Sequence, residues 1–198
     1  NKTFLVRMEL KQETLLVIAP HADDEILGCC GLINKVKENG GKVFVHVLSI
    51  GGFNKIGFGK IEKESWKAEF LKIIKFLKID GYDISYFEDK NFLKLDTIPQ
   101  AELINKIELK SKVSLSKIKP TIVAIPTIYS YHQDHIATYK ASIAALRVRP
   151  QISDFVAKTV ISYESSEYSH WSPYSETGSF SPNLFFNMSK KEIDKKIT

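Results

Sequence analysis

Arginine is scarce in this chain. Of its 28 basic residues only Arg7, Arg147 and Arg149 are Arg, and all the others are Lys. Lys scattered through amphipathic helices reads as a solvated face, which argues against a nucleic-acid partner. Cysteine is nearly absent too. The two present, Cys29 and Cys30, are adjacent and poor disulfide partners for each other. A disulfide framework is thereby excluded, and a reducing, cytoplasmic location is expected. No apolar run approaches the length of a membrane span. No internal repeat, low-complexity linker or signal peptide is visible. The chain starts at Asn1 rather than Met and stops inside the helix-like stretch SKKEIDKKIT, as a piece of a longer protein would.

What is present suits one ordinary domain spanning residues 1–198. The 198 residues are 43% hydrophobic, enough for a sizeable core. The formal net charge of +5 favours an anionic small molecule, such as a sugar bearing phosphate. TLLVIAP (14–20), KVFVHVLSI (42–50), YDISYF (82–87), PTIVAIP (120–126) and FVAKTVISYE (155–164) read as strands. Helical spacing covers residues 24–41, 60–78, 99–118 and 134–148, and GGFNKIGFG (51–59) reads as a flexible loop. Strands alternate with helices and are continuously apolar. A Rossmann-like α/β three-layer sandwich is therefore expected, with a mainly parallel sheet and helices on both faces.

Two strands end in polar bursts. The first runs into VIAPHADDEILGCCG (17–31), with His21, Asp23, Asp24 and Glu25 at its carboxyl end. The fourth runs into IPTIYSYHQDHIATYK (125–140), with His132, Asp134 and His135. Of the five His in the chain, three lie in these clusters. In parallel α/β sheets chemistry gathers beyond the carboxyl ends of the strands. If the two strands are neighbours, the clusters face each other. Two imidazoles and a carboxylate form a normal ligand set for catalytic zinc, and His21, Asp24 and His135 supply one. Asp23, His132 and Asp134 are then left over. A hydrolytic metal site still needs a base, an acid and a group that orients the acid. No G-x-G-x-x-G follows the first strand, so a dinucleotide-binding reading has no support.

PHADDE followed later by HQDH resembles the zinc-dependent N-acetylglucosaminyl deacetylases, the LmbE-like or PIG-L-like family. ILGCCG after the first motif, and SPNLFFNMSKKEIDKK near the end, are similar to that family's Gly-Cys-Gly-Gly-like run and its closing strand and helix. The resemblance implies hydrolysis of an N-acetyl group on an amino-sugar conjugate, a small-molecule partner, and zinc or another divalent metal on His21, Asp24 and His135. It also implies that Asp23 is the base for the attacking water. His132 would steady the oxyanion or protonate the departing amine, and Asp134 would orient His132. Trp66 stands where the family often has a substrate-contacting Arg, so an aromatic substrate contact is expected there. Alternatives are an amidase for another N-acyl group and a non-catalytic sugar-binding relative.

The remaining residues have plainer readings. Asp23, Asp24 or Asp134 alone could be helix caps. Glu25 suits the helix start, His46 a strand interior, and His170 a polar aromatic loop. Cys29 and Cys30 read as packing residues beside Gly28 and Gly31, which suggest tight helix packing. Tyr129 and Tyr131 fit loop packing as well as a pocket edge. The oligomeric state is left open.

Overall fold

The computed structural model describes residues 8–55, 57, 59–147, 155–165 and 180–197. His170 lies outside the described residues. Five strands form one parallel sheet: β1 (Thr14–Ala19), β2 (Lys42–Ile50), β5 (Gly81–Phe87), β6 (Ile122–Pro126) and β7 (Thr159–Tyr163). Their spatial order is β5-β2-β1-β6-β7. The chain moves from β1 through β2 to β5 on one side, then returns to β6 and β7 on the other. The order therefore reverses between β1 and β6, where a parallel sheet opens a crevice beyond its carboxyl ends.

Alternate residues of β1 feed two cores. Leu15, Val17 and Ala19 pack with α1 (Asp24–Glu38) and α2 (Lys63–Phe76), through Ile33, Val36, Phe70 and Ile74 among others. Leu16 and Ile18 face the opposite layer. There Leu103 belongs to α3 (Gln100–Asn105), Leu115 to α4 (Leu115–Ile118), and Ala141 and Ala145 to α5 (Gln133–Ala145). Burial on both faces explains why β1, β2 and β6 are largely apolar rather than alternating, whereas the edge strand β7 alternates between exposed positions and half-buried or buried ones. The three-layer expectation holds. No helix among the described residues is long and apolar enough to cross a membrane.

Three local expectations need correction. Residues 51–59 are not simply a flexible loop: β3 (Phe53–Lys55) pairs antiparallel with β4 (Gly59–Ile61). The helix expected over 99–118 is broken into α3, a π-helical turn (Lys106–Lys110) and α4. The Asp83 carboxylate accounts for the break after the π-helical turn. It accepts from Ser111 Oγ at 2.9 Å and from the Lys112 amide at 2.8 Å, drawing the backbone out of helical geometry. Near the end, residues 181–189 form no strand, and α6 (Lys190–Ile197) follows. Phe186 and Met188 instead approach α1 at Gly31, where an added Cβ would meet Met188 Sδ at 3.4 Å. A Cβ on Gly28 would lie 2.4 Å from the Tyr163 ring, so the small residues of α1 do permit close packing.

Candidate metal and catalytic site

β1 and β6 are paired neighbours, with Leu16 opposite Val123. Their carboxyl ends therefore deliver the two polar clusters to one place. The rings of His21, His132 and His135 form a triangle with centroids 5.0 to 5.7 Å apart. His21, Asp24, Asp134 and His135 are all buried. The Asp24 carboxylate sits between two imidazoles: Oδ2 is 3.8 Å from His21 Nδ1, and Oδ1 is 3.5 Å from His135 Nε2. Asp24 is held by further bonds. Oδ2 accepts from the His21 amide at 3.1 Å, and Oδ1 accepts from Ser165 Oγ at 3.1 Å.

Donor atoms of His21, Asp24 and His135 all lie within 4.8 Å of one another, and so do those of His21, His132 and Asp134. The first set is the better fit for a divalent ion. In the second, two of the would-be ligands are bonded to each other, His21 Nε2 to Asp134 Oδ2 at 2.9 Å, whereas the Asp24 oxygens stand 3.5 and 3.8 Å from the imidazole nitrogens of the first set; Asp134 Oδ1 is held in addition by the Leu95 amide at 2.9 Å. The His21–Asp134 bond adds to the fit of the first set. A metal-bound His characteristically donates its second ring nitrogen to a carboxylate, which fixes its tautomer. Burial pulls the His21 pKa down. The Asp134 hydrogen bond and the charges of Asp24, Asp134 and Asp23 outweigh that and leave it above its ordinary value. Burial, reinforced by the other two imidazoles, lowers His135 to about 4 against the opposing pull of Asp24 and Asp134.

His132 caps α5. Its Nδ1 accepts from the Asp134 amide at 3.1 Å, so the cap is His132 and not Asp134. This revises the expected pairing. Asp134 orients His132 through its backbone N–H, while its carboxylate serves His21. With Nδ1 accepting, the neutral ring carries its proton on Nε2. Burial is the first cause of a lowered His132 pKa, and the neighbouring His21 adds to it. Asp23 precedes α1 without a side-chain cap bond to the helix.

Glu25 lies in the first turn of α1, as expected, but it is wholly buried. Neither carboxylate oxygen has a hydrogen-bond partner among the described residues, and burial pushes the group up to about 8. It is therefore mainly neutral at pH 7.

Trp66, the expected aromatic substrate contact, is also engaged within the protein. Its Nε1 donates to the Ala22 carbonyl at 2.8 Å, so this N–H is already committed within the protein. Its ring packs with Phe53 and Phe92 at 5.1 and 5.5 Å, and Phe92 meets His21 edge-on at 5.5 Å.

Sequence reasoning missed Ser165, Phe92 and Leu95. Ser165 follows β7, and a polar residue just beyond a strand's carboxyl end was the available signal. Leu95 contributes only a backbone N–H, which leaves no trace in residue type. Beside it, Leu93 adopts φ 57°, a left-handed conformation that strains a leucine. Gln133 Nε2 bonds the Leu93 carbonyl at 3.1 Å. The segment 92–95 thus touches the site through the Phe92 ring and the Leu95 amide. A groove of about 560 Å³ along edge strand β5 shares no residue with this cluster.

A family model described as PIG-L, GlcNAc-PI de-N-acetylase, matches residues 16–146, a span containing both polar clusters. An uncharacterized deacetylase of Escherichia coli K12, YaiS, is 29% identical over 143 residues, 72% of each chain. The crystal structure of the conserved protein TT1542 from Thermus thermophilus superposes with a TM-score of 0.61 at 25% identity. That match covers 78% of this chain and 67% of the other. The zinc-inhibited form of teicoplanin deacetylase Orf2 gives a TM-score of 0.68 at 16% identity, covering 93% and 81%. At that identity the likeness speaks for the fold.

Proposed function

The chain belongs to the PIG-L family of deacetylases, and from that premise we propose that it removes the N-acetyl group from an N-acetylhexosamine in a small molecule or glycoconjugate. The observation that carries this reading is the convergence of His21, Asp24 and His135 beyond β1 and β6. These three residues would hold zinc or another divalent ion. Such an ion supplies a Lewis acid that polarises an acyl carbonyl and makes water more acidic.

The chain's own groups divide the remaining work. Asp23, at the entry to α1, takes the proton of the attacking water. His132 faces the developing oxyanion with its Nε2–H, in the tautomer favoured by the Asp134 amide on Nδ1. The proton that Asp23 has taken then passes to the departing amine, because His132, neutral and with Nδ1 occupied by the Asp134 amide, has none to give. Asp134 holds His21 through its carboxylate, and Ser165 holds Asp24. Acetate and the free amino sugar leave. The family description names an N-acetylglucosamine conjugate, which supports an amino-sugar substrate.

The test measures metal content and acetate release together, for the wild type and the double variant Asp24→Ala, His135→Ala. The probes are N-acetylglucosamine conjugates and a panel of other N-acyl glucosamines. About one equivalent of divalent metal with acetate release, both lost in the double variant, is expected. Release of a different acid with no acetate would redirect the reading to another acyl group. Bound metal with no turnover on any probe would favour a sugar-binding protein.

A further inference from the structure

We infer that Trp66 is a positioning residue for the turn that carries His21, Asp23 and Asp24, acting through its indole N–H rather than through substrate. Where the argument concerns metal affinity, it rests on the reading of this turn as a metal site.

Residues 20–23 must carry the chain from the last residue of β1 into α1. Much of the chemistry sits in this short irregular piece. Pro20 has no N–H to anchor it, and its carbonyl is held from β2 by the Ser49 amide at 3.0 Å. The Asp23 carbonyl receives the Ile26 and Leu27 amides as α1 begins. Between these two anchors stands Ala22, buried and without side-chain chemistry. Its carbonyl is the handle that Trp66 grips, from α2, at 2.8 Å.

The indole is itself fixed in place. Phe53 of β3 packs on it, and so does Phe92. Phe92 also rests edge-on against His21, so the aromatic group meets the turn at a carbonyl and at an imidazole. Removing the donor leaves a buried carbonyl short of a hydrogen bond. It also releases the turn between two residues that need placement to a fraction of an ångström. A side chain that touched substrate alone would have no such effect on the protein before substrate binds.

Trp66→Phe keeps an aromatic ring and deletes the N–H; Trp66→Ala deletes both. Two quantities are read on the whole chain: zinc affinity by chelator competition, and hydrogen exchange of the backbone amides of residues 22–25 and of β1. In Trp66→Phe, zinc affinity should fall roughly tenfold. Exchange at 22–25 should quicken by a similar factor while β1 keeps its wild-type protection. Trp66→Ala should be no milder. Wild-type affinity and exchange in Trp66→Phe would overturn the inference, whether or not Trp66→Ala folds. If the wild type bound no zinc, the metal reading would fail by itself. Exchange at 22–25 would then decide: quickening supports the positioning role, and no change overturns it.

Discussion

His21 Nε2 lies 2.9 Å from Asp134 Oδ2, joining two residues 113 positions apart in the chain. One follows β1 and the other opens α5, and only the pairing of β1 with β6 brings them together. The bond engages Nε2 and leaves Nδ1 as the His21 nitrogen facing Asp24. Replacing Asp134 by Asn keeps the shape but removes the charge. Zinc affinity is expected to fall between ~10- and ~100-fold, the usual cost of losing a carboxylate behind a ligating His. Chelator competition measures it, and affinity equal to wild type would remove Asp134 from the support of His21.

Asp23 and His135 should separate chemistry from metal binding. Asp23→Asn is expected to keep wild-type metal content and lose on the order of 100-fold or more in deacetylation rate. His135→Ala is expected to lose the metal itself. Metal analysis beside a single-turnover assay distinguishes the two. Normal turnover by Asp23→Asn would show that another group is the base.

Ser165 bonds Asp24 Oδ1 from beyond β7, on a segment far from either motif. Ser165→Ala should weaken zinc binding by roughly tenfold, with little change in global stability. Isothermal titration with zinc, alongside thermal unfolding of the metal-free protein, reads both effects.

Gly51 is required by proximity rather than by backbone conformation. A Cβ there would lie 2.3 Å from Phe92 Cβ and 3.2 Å from Asp89 Cα, neither of which is the free end of a side chain. Gly51→Ala should cost about 1–3 kcal/mol in denaturant unfolding, as an overpacked site does. Because Phe92 rests on His21, the same variant should bind zinc less tightly.

His46 predicts a component of acid sensitivity. It is fully buried in β2, with Nε2 2.7 Å from Ser85 Oγ. Burial lowers its pKa from 6.5 to about 4; the Asp83 carboxylate opposes that shift and Lys106 adds to it. Between those values the unfolded chain binds the proton more tightly than the folded one. The stabilisation is therefore complete above pH 6.5 and lost as pH falls toward 4, by about 3 kcal/mol at most. His46→Gln should flatten this part of the curve. Urea unfolding of both proteins at several pH values between 7 and 4 gives the difference.

Legibility in the sequence followed burial. β1, β2 and β6 are covered on both faces, so their apolar runs stand out, and β2 matches its expected span of 42–50. The break at residues 111 and 112 was hidden because the group that bonds them, Asp83, lies on another element. The β3–β4 hairpin has only three residues per strand, too few to show a period among glycines.

The candidate site divides in the same way. His21, Asp23, Asp24, His132, Asp134 and His135 were recognisable because rare chemical groups are crowded at two strand ends. Their order along the chain determined the residue types available and the α/β alternation. The tertiary structure decided that β6 lies beside β1, and so that the clusters meet. It also decided which nitrogen of His21 faces Asp24, that the Asp134 amide rather than its carboxylate reaches His132, and that Trp66 grips Ala22. Those choices depend on backbone groups and on contacts between distant segments. A backbone N–H or carbonyl is the same in almost every residue, so its partner is fixed only when the sheet and its helices have packed.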